Sequence, residues 1–189
     1  TPAIGGVGLI KDYKKMITME LKNNENLILV LGKTEGHIDQ SVFAINILNE
    51  KKGPPPEINL FNEKNNGETI LKLIDKKFIK SAHDVSLGGI ITALAKMCIK
   101  GNKGATLRKS SYLINKFQYL FGEDQGRYIV EIEKTNYKDV TEILKKNSVH
   151  YDELGIVNDN DLIIDEKSKV SIDDLIKSHS IWLTNYMNK

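Results

Sequence analysis

The stretch Ser81-Ala-His-Asp-Val-Ser-Leu-Gly-Gly-Ile-Ile-Thr-Ala-Leu-Ala-Lys-Met-Cys-Ile-Lys100 decides the fold. Ser81 to Val85 reads as a short strand. A glycine-paired turn follows. Gly89 to Lys100 is apolar almost all round, which predicts a deeply buried helix, ended by Gly101. A strand that turns directly into a buried helix is the building unit of a sheet with helices packed on it.

Outward from that unit, strands and helices continue to alternate. Toward the N-terminus, Asn26 to Lys33 (NLILVLGK) is a buried strand and Asp39 to Glu50 a helix, with Asp39 or Ser41 as its cap. Gly53-Pro-Pro-Pro56 fixes an extended loop, because three prolines lock φ and remove donors. Glu57 to Lys80 is expected to be helical, with Ile58, Phe61, Ile70, Leu71, Ile74, Phe78 and Ile79 inward and Gly67 as an interruption. Gly5 to Ile10 is expected to be a strand. Toward the C-terminus, Ala105 to Leu107, Arg127 to Glu133, Val149 to Val157 and Leu162 to Asp165 read as strands. Leu113 to Phe121, Tyr137 to Lys146 and Ile172 to Tyr186 read as helices. The expected fold class is α/β, an α+β sandwich of a mixed sheet with helices packed on it, and residues 1–189 form a single domain.

Composition excludes several function classes. The 189 residues carry 27 basic and 25 acidic side chains, for a net charge of +2. Only Arg108 and Arg127 are arginines, and that balance argues against a nucleic-acid partner. The longest apolar runs are about five residues, far short of the ~20 that span a bilayer, so no membrane association is expected. A single cysteine, Cys98, allows no internal disulfide and no cysteine-built zinc site, as in a reducing cytoplasm. Cys98 reads as core. His37, His150 and His179 show no ligand spacing, and Trp182 and Tyr186 are expected to be packing residues.

Chemistry is concentrated in two places. In His83-Asp-Val-Ser-Leu-Gly-Gly89, a helix start offers unpaired N–H groups and the positive end of a dipole, and glycines let a ligand approach the backbone. His83, Asp84, Ser86, Gly88 and Gly89 are therefore candidate nucleotide- or phosphate-binding residues. The same pattern also fits a purely structural role, with Asp84 or Ser86 capping the helix and the glycines permitting close packing. Phe121-Gly-Glu-Asp-Gln-Gly-Arg127 presents Glu123, Asp124 and Gln125 between glycines, able to reach hydroxyl groups or metal-bound water. The alternative there is a solvated turn with Arg127 paired to a neighbouring acid. Ile4-Gly-Gly-Val-Gly8 matches no dinucleotide fingerprint, and Gly32-Lys33-Thr34 lacks the upstream glycine of a P-loop.

Five motifs stand in order along nearly the whole chain, from Thr1 to Trp182-Leu183. They are Thr1-Pro-Ala-Ile-Gly-Gly-Val-Gly8, Leu31-Gly32 followed by Gln40-Ser41, Gly53-Pro-Pro-Pro56, His83-Asp-Val-Ser-x-Gly-Gly89 and Phe121-Gly-Glu-Asp-Gln125. Together they resemble the C-terminal part of the phosphoribosylformylglycinamidine synthase family, the large synthetase component, in its aminoimidazole-ribonucleotide-synthetase-like domain. The resemblance implies a ligase of de novo purine biosynthesis. Formylglycinamide ribonucleotide, ATP and glutamine-derived ammonia would give formylglycinamidine ribonucleotide through an iminophosphate. ATP and Mg2+ are the implied cofactors of the full-length enzyme. The implied partners are the N-terminal domains of the same synthetase, a glutaminase and a small accessory subunit, in the cytoplasm.

The resemblance also implies that this chain is the second C-terminal lobe only, a fragment of a longer synthetase; the absent initiating methionine fits that expectation. Catalytic and metal-binding residues would then lie upstream, and the fragment alone would be inactive. Glu123-Asp-Gln125 resembles the counterpart of an acid-x-Gln turn that contacts the ribonucleotide in the first lobe, implying substrate or auxiliary-site contacts. Leu87 stands where the family commonly has an acid, which leaves backbone contacts at Gly88 and Gly89. Other members of the superfamily, such as thiamine-monophosphate kinase, selenophosphate synthetase or a hydrogenase-maturation protein, and a non-catalytic nucleotide-binding lobe, are the alternatives. The Gly-Pro-Pro-Pro loop and the opening motif argue against those other enzymes.

Overall fold

A computed structural model describes residues 5–108 and 114–188. Its centre is β1 (Leu27–Leu31), five apolar residues buried without exception. Alternate side chains of a strand point to opposite faces. Ile28 and Val30 accordingly join one apolar core, and Leu27, Leu29 and Leu31 join a second. A strand buried on both faces needs a layer on each, and the chain supplies helices for both.

The sheet has seven strands in the order β2-β4-β1-β5-β3-β6-β7. These are β2 (Ile79–Asp84), β3 (Gly104–Leu107), β4 (Tyr128–Ile132), β5 (Tyr151–Asn158), β6 (Asp161–Asp165) and β7 (Ser168–Ser171). The β3–β6 pair is parallel and the others are antiparallel, so the sheet is mixed, as the sequence implies. The helices are α1 (Leu60–Asp75), α2 (Gly89–Gly101), α3 (Lys116–Phe121), α4 (Tyr137–Lys146) and α5 (Ile172–Met187). On one face α2 buries Ile90, Leu94 and Met97 against Ile28, Val30 and Ile129. On the other, Ile70 and Leu73 of α1 and Val140 and Leu144 of α4 cover Leu29, Val130 and Ile132.

Several expectations are corrected. Residues 5–10 form no strand: Val7 and Leu9 are fully exposed, and no ladder partner stands beside them among the described residues. A lone extended segment has nothing to hold it as a strand. The helix expected over 39–50 is a short, wide π-helical turn, Ala44–Leu48, and Ser41 rather than Asp39 caps this region, its Oγ accepting the Ala44 N–H at 3.1 Å. Helix α1 starts at Leu60, where the Asn59 side chain accepts the Asn62 N–H, and Gly67 does not interrupt it. It ends before Lys77, which has φ +60°, so Ile79 belongs to β2, while Ile58, Phe61 and Leu71 are exposed. Asn102, at φ 48°, caps α2 one residue beyond the expected glycine. Leu113 lies outside the described residues, as do Thr1 to Ile4 of the opening motif. Strand β7 has no apolar alternation to announce it. Trp182 and Tyr186 stack on each other, with ring centroids 5.4 Å apart, yet both are exposed rather than packed.

One buried charge organises the sheet edge. Glu131 of β4 is fully buried, and its carboxylate accepts the N–H groups of Lys22 (2.9 Å) and Asn23 (3.0 Å), the Asn26 amide (2.7 Å) and the Ser81 hydroxyl (2.9 Å). Four donors satisfy a carboxylate that has lost its water. Glu131→Ala orphans all four and is expected to cost about 3 kcal/mol, read as a lowered denaturant midpoint.

Cys98 is inert by burial, which pushes its thiol up to about 12. A raised thiol pKa contributes stability that is intact below the unfolded value of about 8.5 and is lost as pH rises above it. Thiol reagents at about pH 8 are expected to leave the native chain unlabelled and to label it fully in denaturant.

Candidate functional site

The turn between β2 and α2 is where sequence and structure diverge most usefully. Val85 stays in register with β4, its N–H donating to the Arg127 carbonyl at 2.9 Å. Gly88 then adopts φ +82°, and no side chain of the turn caps the helix. The Gly88 N–H donates to Glu123 Oε1 at 2.8 Å, and that oxygen also accepts the Val42 N–H at 2.8 Å. The Gly89 N–H donates to the Ser86 carbonyl at 3.0 Å. The anion facing this helix start is therefore the chain's own Glu123. Gly89 is required for contact: at φ +69°, a Cβ there would lie 2.7 Å from the carbonyl oxygens of Leu120 and Gly122. His83 Nδ1 bonds the Asp84 carboxylate at 2.9 Å, while His83 Nε2 is buried with no partner. The Asp84 side chain remains 63% exposed and Ser86 is exposed, so both face outward.

In the Glu123–Arg127 turn Asp124 and Arg127 are buried, while Gln125 is exposed. Asp124 accepts three consecutive backbone N–H groups, from Glu35 (3.2 Å), Gly36 (2.9 Å) and His37 (3.0 Å). Arg127, 1% exposed, threads behind it. Its guanidinium donates to the carbonyls of Asp124 and Gly122 and to Thr34 Oγ1, and lies 3.5 Å from the Asp124 carboxylate. Burial lowers the Arg127 pKa, and the charge of Asp124 opposes that shift. The expected Arg127–acid pairing is thus present, inside the protein. Of the three candidates in this turn, Gln125 alone keeps an exposed side chain, its amide reaching only the Glu123 carbonyl at 3.4 Å.

Gln125 opens onto a polar cleft of about 820 Å3, walled by the 33–39 loop, Pro56 and the first turns of α1. Glu63, Asn62 and Asn66 of α1, with His37 and His150, line it. Sequence reading did not single out the α1 residues as functional. Their signal was available as a polar run at a helix start, but any solvated helix face has the same pattern. Tyr128 joins the cleft to the β2 turn. It pairs with Asp84 across the sheet, and its hydroxyl pKa is raised by burial and by the charges of Glu63 and Asp84. Glu63 and Gln125 line the cleft, and Asp84 and Tyr128 pair beside it across β2 and β4. Among the described residues no three His, Cys, Asp or Glu side chains converge where they could hold a metal ion.

The family model described as "AIR synthase related protein, C-terminal domain" matches residues 23–166. The chain belongs to this family. Phosphoribosylformylglycinamidine synthase subunit PurL of Pelagibacter ubique (strain HTCC1062) is 78% identical over 187 residues, covering 99% of the chain and 26% of that protein. The PurL subunit of Bartonella quintana (strain Toulouse) is 38% identical over 189 residues, again covering 26% of its length. The chain thus spans about a quarter of the length of these curated relatives. Among solved structures, Thermotoga maritima PurL complexed with FGAR superposes with a TM-score of 0.70 at 18% identity, over 86% of this chain and 30% of that one. That likeness establishes the shared fold.

In the β2–α2 turn the Gly89 backbone lies against the Leu120 and Gly122 carbonyls, and Glu123 holds the Gly88 N–H. Gly89→Ala forces a side chain into positive φ and against two carbonyls, and is expected to cost about 2–4 kcal/mol. The thermal midpoint of the variant, measured without any ligand, checks it.

Proposed function

We propose that this chain is the second C-terminal lobe of a phosphoribosylformylglycinamidine synthase. The whole polypeptide would convert formylglycinamide ribonucleotide, ATP and glutamine-derived ammonia to formylglycinamidine ribonucleotide, ADP, phosphate and glutamate. The 78% identity to a PurL subunit carries this reading. In the proposed route the amide oxygen is phosphorylated and ammonia displaces the phosphate, so stabilisation of developing charge dominates the work of the site. ATP supplies the phosphoryl group, and a solved T. maritima PurL is described as complexed with ATP. Among the described residues no three acidic, histidine or cysteine side chains converge, and in the proposed reading the magnesium ligands come from other parts of the longer polypeptide.

The proposed contributions of this lobe are binding contacts. Glu123 and Asp124 hold backbone amides, so their part is to position the turn, and Gln125 is the group that meets a ligand in the cleft. At the β2 turn Asp84 and Ser86 are the outward-facing polar groups for a nucleotide, with His83 orienting Asp84 and the Gly88–Gly89 backbone setting the turn's shape. A glutaminase and a small accessory subunit are the proposed partners, in line with a solved assembly named PurLQS. The proposed compartment is the cytoplasm; among the described residues, no helix is long and apolar enough to cross a membrane.

The test is amidine formation by the full-length polypeptide with ATP, magnesium and ammonium chloride in place of the glutaminase. Turnover by the full-length protein and none by this chain alone is expected; a full-length protein that forms no product would overturn the reading. In the full-length enzyme, Gln125→Ala is expected to raise KM for the ribonucleotide about five-fold with kcat retained, as for loss of one hydrogen bond made equally in ground and transition states.

A further inference from the structure

Helix α5 is packed at one end and bare at the other. Ile172 is buried, and Leu175 and Ile176 pack against the core containing α2. From Lys177 onward every residue described is exposed, including Trp182 (66%), Leu183 (59%) and Tyr186 (62%). At 100° per residue, Ile172, Leu175, Ile176, His179, Trp182, Leu183 and Tyr186 fall within an arc of about 120°. The stripe that seats the first half of the helix therefore continues along the second half, where no described residue buries it. A solvated helix end would gain nothing from that pattern.

Two observations identify what covers it. The family model stops at residue 166, whereas the 78% identity to the P. ubique subunit extends over 187 of the 189 residues. The added helix is thus shared with a polypeptide about four times as long, outside the common domain. In addition, a notch of about 140 Å3 lies beside the stripe, lined by Met19, Lys96, Ile99, Lys100 and His179. Met19 belongs to the segment before the matched domain, so the notch joins that segment to α2 and α5. The notch is apolar at its floor and basic at its rim.

We propose that the exposed half of α5 docks against another domain of the same longer polypeptide, on an apolar surface whose rim carries carboxylates opposite Lys96 and Lys100. A second copy of this chain is the poorer occupant, because a two-fold contact would bring the same basic rim to both sides. The contact is an intramolecular clamp that fixes this lobe's angle to its neighbour through Trp182 and Tyr186. It rests on the reading of the chain as one lobe of a longer polypeptide.

Hydrogen exchange of residues 177–187 in the full-length polypeptide tests it. Exchange there is expected to be at least ~100-fold slower than in this chain alone, and independent of protein concentration. Trp182→Ser with Tyr186→Ser is expected to abolish the protection while leaving β1 and α2 protected, and Lys100→Glu, which keeps the stripe, to weaken it. Equal exchange in both proteins would overturn the proposal, as would protection that grows with concentration, the mark of a second copy. The amidine-forming assay is scored separately: a full-length protein that protects α5 but makes no product refutes the synthetase reading and leaves the clamp standing.

Discussion

The carboxylate of Glu131 is the point on which the rest of this molecule hangs. It draws the N–H groups of Lys22 and Asn23, the amide of Asn26 and the hydroxyl of Ser81 to one buried spot. Those donors come from the lead-in segment, the residue before β1, and β2. β4, which carries the acid, sits between β2 and β1 in the sheet. A buried carboxylate without partners is so unfavourable that the arrangement is nearly all-or-none. Once it forms, the order of the three strands and the angle at which the chain enters are set together. The Leu21 N–H then reaches the Met97 carbonyl near the end of α2, tying the same segment to the helix.

The same device recurs at the Glu-Asp-Gln turn. Glu123 collects the amides of Val42 and Gly88, and Asp124 collects those of Glu35, Gly36 and His37. Each acid gathers backbone donors from segments far away in sequence, and Arg127 keeps Asp124 company in the interior. The 35–37 segment, Val42 and the β2–α2 turn are pinned in this way. The consequence for chemistry is that acidity in the Glu-Asp-Gln turn is committed to architecture, while Gln125 and, across Tyr128, Asp84 remain turned outward.

Much was legible from residue order alone. β1 was recognisable because a five-residue run of leucine, isoleucine and valine suits a strand buried on both faces. α2 followed from an apolar stretch bounded by glycines, and α4 from clean amphipathic spacing. The family domain was legible through ordered motifs, and the match over residues 23–166 agrees with it. Less legible were segments whose state depends on a partner. Residues 5–10 have strand composition but no neighbouring strand among the described residues, and β7 has a neighbour but no strand composition. Ile58, Phe61 and Leu71 are apolar yet exposed, since a residue type reports an affinity for burial and not which surface is at hand.

The sequence by itself determined the local alphabet: which runs extend, which coil, where glycine and proline turn the chain, and which family the ordered motifs belong to. These depend on dihedral preferences and side-chain periodicity, which act within a few residues. The tertiary structure alone decided what each charged group does. That Glu123 holds a glycine amide, that Asp124 binds a loop and that Gly89 lies against neighbouring carbonyls are settled by contacts between residues dozens apart, and the exposure of Trp182 follows from the lack of such contacts among the described residues. A carboxylate binds whichever donors desolvation brings to it, and only the folded chain fixes which those are.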